Sequence, residues 1–427
     1  MALLTRLDLR GSSADLRTAL RPPAAEDDPR RLTAVREIIA AVREQGDDAL
    51  REFTARFDGC EIDEFRVRAD ECLAALEAID GDLRTALEHA RDAITEYHEE
   101  QRTPGAAVVR DGVETREVVV PVDRAGLYVP GGRAAYPSTV LMTAIPARVA
   151  GVPAVALCVP PGRDDRVPPA TLAAAALGGV DEVYRVGGAQ AIAALAYGTE
   201  TIAPVDVIFG PGNNYVALAK REVAGLVGTD TAGPSEVAVV ADDSAEPRFA
   251  AADLLAQSEH GPDGAAVLVT WSEPIADAVD RELGALLDAG PAEHRETIAA
   301  TGRIVLVDGP DHAVAVANVL APEHLELLVA DPEKLVPLVR NAGAVFCGPW
   351  APAVVGDYVA GVNHVLPTGR TARFASALRV ADFERRIHVV TVDQDALQRL
   401  EPDIRALANV EGLDAHAAAV AARRGSS

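Results

Sequence analysis

From Gly126 to Val240 the chain alternates short apolar runs with alanine-rich stretches of helix length, and this rhythm constrains the fold more than any other feature. The runs are Leu127–Val129, Val155–Val159, Val183–Val186, Asp206–Phe209 and Val237–Val240. Runs this short and apolar suit strands buried on both faces, and the segments between them are long enough to cross over as helices. The pattern therefore predicts a parallel sheet covered by helices on both sides. It returns at Ala265–Thr270, Ile304–Val307, Leu325–Val329 and Ala344–Cys347, so the spacing predicts two α/β domains of similar size.

The flanks differ. Residues from about 14 to 100 carry periodic Leu, Ile, Ala and Val in a polar background and read as helices. They precede the first domain, and the second is free to borrow them. Glu114–Val122 reads as a strand. From about residue 379 the charge rises, Ile387–Val392 reads as one strand, and short helices follow. This is a C-terminal arm suited to packing on another subunit.

A length of 427 residues implies two or more domains. With 49% hydrophobic and 25% charged residues the chain is globular, apart from the Arg423–Ser427 tail. The net charge is −25, and nearly all the positive charge is arginine. Nucleic acids and anionic membranes both need a basic face, so neither is expected as a partner. Cys60, Cys72, Cys158 and Cys347 are widely spread and fit reduced thiols. Met1–Arg10 lacks the apolar stretch of a signal peptide, and no apolar run reaches membrane-spanning length, so a cytoplasmic location is expected.

In sheets of this kind ligands bind at the carboxyl ends of strands, which makes the Gly- and Pro-punctuated loops the ones to read. Gly126-Leu-Tyr-Val-Pro-Gly-Gly132 follows a strand; its glycines admit a ligand, and Tyr128 can stack on a flat ring. Val186-Gly-Gly-Ala-Gln190 and Gly210-Pro-Gly-Asn213 repeat the theme. Three such loops suit a nucleotide-sized ligand, yet none is GxGxxG and no acidic residue follows at the spacing expected for a ribose. Ordinary tight turns explain them as well.

Gln257-Ser-Glu-His260-Gly-Pro ends an apolar helix and puts Gln257 and His260 on one side of it. That is half of a metal site; there is no HExxH and no CxxC pair to complete it. In Gly233-Pro-Ser-Glu236, Ser235 either bonds a substrate or shapes a turn. In Pro322-Glu323-His324 the carboxylate and imidazole can serve as bases, although such a dipeptide is common on surfaces. Asp357 and His364 share one loop, and Glu411 and His416 lie in the arm, where a plain surface role is the alternative. Of nine histidines, His89, His98, His294, His312 and His388 lack Gly/Pro framing, whereas His260, His324, His364 and His416 have it.

Taken together and in order, these segments resemble histidinol dehydrogenases over nearly the whole chain. The resemblance rests on Gly126–Gly132, Val186–Leu195, Gly210–Asn213, Ala232–Glu236, Gln257–Pro262, Ala321–Leu325, Gly356–Tyr358, Asn363–Pro367 and Glu411–His416. It implies an α/β homodimer of two incomplete Rossmann-like domains with a helical N-terminal segment and a C-terminal dimerisation arm. The implied boundaries are 1–24 for the N-terminal segment, 25–125 plus 236–378 for the first domain, 126–235 for the NAD-binding domain and 379–427 for the arm. The resemblance further implies one zinc per subunit, held by Gln257, His260, Asp357 and His416, the last from the other subunit. Substrate contacts would be Ser235, Glu323, His324, His364 and Glu411 with the metal ligands, and NAD contacts Tyr128, Gln190 and Asn213. Arg370 and Ala377 stand where the family often has glycine.

The implied reaction is the four-electron oxidation of L-histidinol to L-histidine through a bound aldehyde, with His324 as general base, Glu323 activating water and zinc orienting the substrate. A zinc hydrolase using the same ligands, with Glu323 as base, is the rival class; a non-catalytic two-lobed binding protein is a third. The three Gly-rich loops argue against a hydrolase, which has no need of a dinucleotide groove.

Overall fold

The computed structural model describes residues 3–13, 15–20, 29–131, 134–231 and 233–423. Gly132, Ala232, the boundary at residues 24 and 25 and most of the C-terminal tail lie outside the described residues. The chain divides into two units, Met1–Gln101 with Asp123–Phe383, and Arg102–Val122 with Glu384–Ser427.

The larger unit holds two six-stranded sheets. The first runs in the order Arg66–Val67, Glu182–Arg185, Ala154–Val159, Arg124–Tyr128, Val207–Phe209 and Gly228–Thr229. All its pairings are parallel except that of Arg66–Val67 with Glu182–Arg185. The second runs Thr5–Asp8, Gly302–Leu306, Ala265–Thr270, Glu236–Ala241, His324–Leu328 and Ala344–Cys347, parallel throughout. The apolar runs read from the sequence form the inner strands of both sheets and, with Ala344–Cys347, one edge; Thr5–Asp8, Arg66–Val67 and Gly228–Thr229 are additional edge strands.

The N-terminal helices follow the first sheet. Pro29–Gln45 packs on Gly188–Tyr197 and Asn214–Val223, and Ala69–Ala78 packs on Pro169–Leu177. Val35, Ile38, Ile39 and Val42 make one apolar stripe at helical spacing. They share a core with Tyr184, Ile192, Leu195 and Ala219. This packing differs from boundaries that join 25–125 to 236–378. The alanine-rich face of Gly188–Tyr197 presents small side chains that let a covering helix approach, and Pro29–Gln45 fills that place.

The smaller unit is a three-stranded antiparallel sheet, with Val113–Pro121 central between Ala107–Arg110 and Glu384–Val392. Helices Gln394–Val410 and Asp414–Ala421 follow. The unit therefore recruits residues 102–122, which the sequence reading left outside the arm. Asp111 and Gly112, both at positive φ (52° and 80°), turn the tight hairpin. Arg370 adopts φ 65°, the region where glycine is at ease, while Ala377 does not have positive φ. All four cysteines are free, three of them buried. Among the described residues no helix is long and apolar enough to cross a membrane.

Candidate active site

The parallel register builds the centre of the site. Val237 pairs with His324, so the start of one strand lies beside the start of the next. Glu236, one residue earlier, then meets both candidate bases through its backbone. Its N–H donates to Glu323 Oε2 at 2.9 Å, and its carbonyl accepts from His324 Nδ1 at 3.2 Å. A carbonyl oxygen can only accept, so Nδ1 carries the proton, and Nε2 is the atom left to act. Nε2 is buried, has no hydrogen-bond partner among the described residues and lies 3.5 Å from Asp357 Oδ1.

Electrostatics follow from this packing. Burial alone would depress the His324 imidazole, but Glu323 and Asp357 outweigh it and push its pKa up to about 9. Burial raises the Glu323 carboxyl, with His324 pulling the other way. Glu236 also has its own buried carboxyl, pushed to about 7 by desolvation and then by Glu323. Burial would raise Asp357 as well, yet His324, His364 and His260 around it leave it lowered.

Gln257 is locked to Ser235 by two bonds. Its Nε2 donates to the Ser235 carbonyl at 2.8 Å, and its Oε1 accepts from Ser235 Oγ at 3.2 Å. Gly264 permits this: a Cβ there would lie 2.2 Å from the Ser235 carbonyl oxygen and 2.9 Å from Gln257 Nε2. His260 ends the short turn Ser258–His260 after the helix. It is exposed at its outer edge, yet desolvation of its ring lowers its pKa, against the pull of Asp357. His364 is fixed at both nitrogens, by the Asp357 carbonyl at 2.8 Å and by Thr139 Oγ1 at 3.1 Å.

A separate cavity of about 1170 Å³ opens at the carboxyl ends of the first sheet. Tyr128, Gln190 and Asn213 all line it, with Pro130, Gly131, Pro160, Phe57 and Asp58. Tyr128 is buried, and its hydroxyl accepts from the Gly188 N–H at 3.1 Å, so it forms the wall between two Gly-rich loops. Gln190 Oε1 is buried with no partner among the described residues. Asn213 caps the helix Asn214–Val223 through Tyr215 N and Val216 N. Next to it, Asn214 Nδ2 donates to Asp263 Oδ2 at 3.2 Å, beside Gly264, which ties the cavity to the Ser235–Gln257 region.

This geometry has the size of a dinucleotide site next to a cluster of ionisable groups, and comparison with known proteins decides what kind. The sequence profile of the histidinol dehydrogenase family matches residues 22–424. A histidinol dehydrogenase of Moorella thermoacetica is 49% identical, over 91% of this chain and 93% of its own. One from Thermobifida fusca is 48% identical, over 99% and 98%. The crystal structure of histidinol dehydrogenase from Elizabethkingia anophelis superposes with a TM-score of 0.93 at 34% identity, covering 99% of this chain and 98% of that one. The chain belongs to the histidinol dehydrogenase family. It is an NAD-dependent oxidoreductase of histidine biosynthesis.

Against the residues expected from the family resemblance, the larger unit brings Ser235, Gln257, Glu323, His324 and Asp357 into one cluster. His260 and His364 stand within electrostatic reach of Asp357. Glu411 and His416 belong to the smaller unit, Glu411 closing the helix Gln394–Val410 and His416 exposed in Asp414–Ala421. Among the described residues no three His, Cys, Asp or Glu side chains converge as a ready metal cluster. The donors nonetheless fit a zinc ion: an amide oxygen at Gln257, a neutral imidazole at His260 and an anionic carboxylate at Asp357. Sequence reading missed Thr139 and Glu236 as neighbours of the site. It also passed over His98 and His294. His98 is fully buried and lies 3.3 Å from Asn363 Nδ2, next to His364; His294 lies 2.5 Å from Ser258 Oγ, beside the His260 turn. The general rule that ligands bind at the carboxyl ends of strands covers only one of the two sheets. The Tyr128, Gln190 and Asn213 loops do sit at the carboxyl ends of strands, but Ser235, Glu323 and His324 sit at the amino ends of the second sheet.

Proposed function

We propose that this chain oxidises L-histidinol to L-histidine in two successive steps through a bound aldehyde, with Glu323 and His324 as its acid–base groups. The observation that carries the reading is the shared backbone anchor: Glu236 holds Glu323 and the Nδ1 face of His324 together and leaves Nε2 facing Asp357.

His324 Nε2 takes the hydroxyl proton as the carbinol carbon gives up hydride, and the aldehyde remains in place. It is a base once the charge of Asp357 is engaged by another cationic group, because that charge is part of what holds its proton on. Glu323 then draws a proton from water as that water adds to the aldehyde carbon, while His324 Nε2 returns its first proton to the carbonyl oxygen, giving the hydrate. With Nε2 vacant again, His324 takes a proton from the hydrate as the second hydride leaves, giving the carboxylic acid, which ionises to the carboxylate. Zinc, when held by Gln257, His260, Asp357 and His416 of the partner subunit, would supply a fixed anchor for the substrate's imidazole and amine nitrogens. NAD, when bound along Tyr128, Gln190 and Asn213, would accept hydride in each step. His364 and Ser235 contact the substrate, with Glu411 from the arm. The homodimer is supported by the apolar surface of the smaller unit, where Val410 is 89% and Val109 74% exposed.

The test is NADH absorbance with L-histidinol, NAD and zinc. Two NADH per histidinol is the expected yield; none from zinc-loaded protein refutes the reading.

A further inference from the structure

Lys220 is a buried cation that the mechanism above does not use. Its side chain is 2% exposed, on the helix Asn214–Val223. Its ammonium lies 2.6 Å from Asp230 Oδ1 and also donates to the Gly210 carbonyl. Asp230 uses its second oxygen, Oδ2, to accept the Gly210 N–H at 2.6 Å. One ion pair thus grips both polar groups of a single residue, fixing the peptide planes on either side of it.

Gly210 is where that grip matters. It sits at φ 125°, and a Cβ there would lie 2.0 Å from the Tyr128 carbonyl oxygen. Its backbone is pressed against Tyr128, and Pro211, Gly212 and Asn213 leave from it toward the cavity. Tyr128 and Asn213 both line that cavity. A buried ion pair is costly to assemble, so a chain gains from one chiefly where it fixes a geometry.

Composition makes the same point independently. Of the chain's 40 Lys and Arg residues, only Lys220 and Lys334 are lysine. Lys334 is a surface residue, its side chain 77% exposed. A chain that meets almost every need for a cation with arginine retains lysine at the buried position. A compact ammonium can reach two acceptors on one side, whereas a planar guanidinium is larger and spreads its donors in a fork.

We propose that the Lys220–Asp230 pair is a latch on the Gly210–Asn213 loop that sets the affinity for the dinucleotide, with Lys220 and Asp230 as positioning residues. This rests on the reading of the cavity as the NAD site. The latch acts on cofactor binding and leaves the proton-transfer groups alone.

The experiment measures the Kd of NAD by calorimetry in the zinc-loaded protein, with kcat, the KM of histidinol and Tm alongside. The variants are Lys220→Arg, Asp230→Asn and the double Lys220→Met/Asp230→Asn; Gln190→Ala and Asn213→Ala report on the cavity itself. Each single variant leaves a buried partner of Gly210 unpaired or misplaced, so it should weaken NAD binding between about 10- and 100-fold. kcat at saturating NAD and the KM of histidinol should stay near wild type. The double variant should recover Tm, having no unpaired buried charge, without recovering NAD affinity. If Lys220→Arg does not fold, Asp230→Asn decides alone. A fall in Tm with an unchanged Kd overturns the latch and leaves an ordinary structural ion pair. If Gln190→Ala and Asn213→Ala also leave Kd unchanged, the cavity is not the NAD site, and the latch falls with that reading.

Discussion

Replacing Glu236 by glutamine isolates the cost of placing a carboxylate beside Glu323. Desolvation and then the Glu323 charge push the Glu236 pKa from 4.5 to about 7. At 1.36 kcal/mol per pH unit that difference is worth about 3 kcal/mol, and about 2 kcal/mol after allowing for the part of the side chain that solvent reaches. The sign follows from proton counting. Between pH 4.5 and about 7 the folded protein holds a proton that the unfolded chain has released. Stability from this group is therefore fully present below 4.5, falls as the pH rises through the window, and is flat above it. Glutamine has nearly the same shape, carries no charge, and leaves the backbone contacts of residue 236 to Glu323 and His324 untouched. Glu236→Gln should match wild type near pH 4.5 and exceed its stability by about 2 kcal/mol at pH 8. Urea unfolding of both proteins at the two pH values measures this. An equal gain at both, or a loss at pH 8, would show that the carboxyl is not held protonated and that the desolvation argument is wrong.

Other expectations can be tested separately. Glu323→Gln should slow oxidation of the aldehyde by about 100- to 10,000-fold while sparing the first hydride transfer, whereas His324→Asn should slow both, as single-turnover NADH traces would show. Gln257→Ala should weaken zinc binding at least about tenfold in competition with a chromophoric chelator, and an unchanged affinity would remove Gln257 from the ligand set. Arg370→Gly should stabilise the protein by up to about 1 kcal/mol in thermal unfolding, since a non-glycine residue pays about 1–3 kcal/mol at positive φ and glycine returns part of that as chain entropy. Mixing His260→Ala with His416→Ala protein should restore about a quarter of wild-type activity if His416 acts across the dimer, because each mixed dimer then has one intact site. No recovery after verified subunit exchange would place His416 outside the shared site.

The sequence showed the strands where burial on both faces makes them continuous apolar runs, as at Val155–Val159 and Ala265–Thr270. It showed the edges Ala344–Cys347 and Ile387–Val392 but hid the shorter or more polar ones, because an edge strand need satisfy only one neighbour. Thr5–Asp8 alternates charge with apolar residues, and Arg66–Val67 is two residues long. The hairpin at Asp111-Gly112 was legible, since that dipeptide is a strong turn signal, and reading only Glu114–Val122 missed its first strand. For the helices, the stripe Val35, Ile38, Ile39 and Val42 announces that a partner exists without saying which sheet supplies it. The site divides along the same line. Gly/Pro framing picked out His260, His324, His364 and His416, because framing marks loops, and it passed over His98, which works from inside a helix against Asn363. What no local pattern carries is register. Ser235-Glu236 and Glu323-His324 lie almost ninety residues apart, and they meet only because two parallel strands start side by side at Val237 and His324. That pairing fixes the orientation of a common dipeptide and puts it at the amino ends of its sheet, opposite to where the strand-end rule looks. Lys220 makes the complementary case: its rarity was countable in the sequence, but the reason for it, one residue gripped at both its N–H and its carbonyl, exists only in the fold.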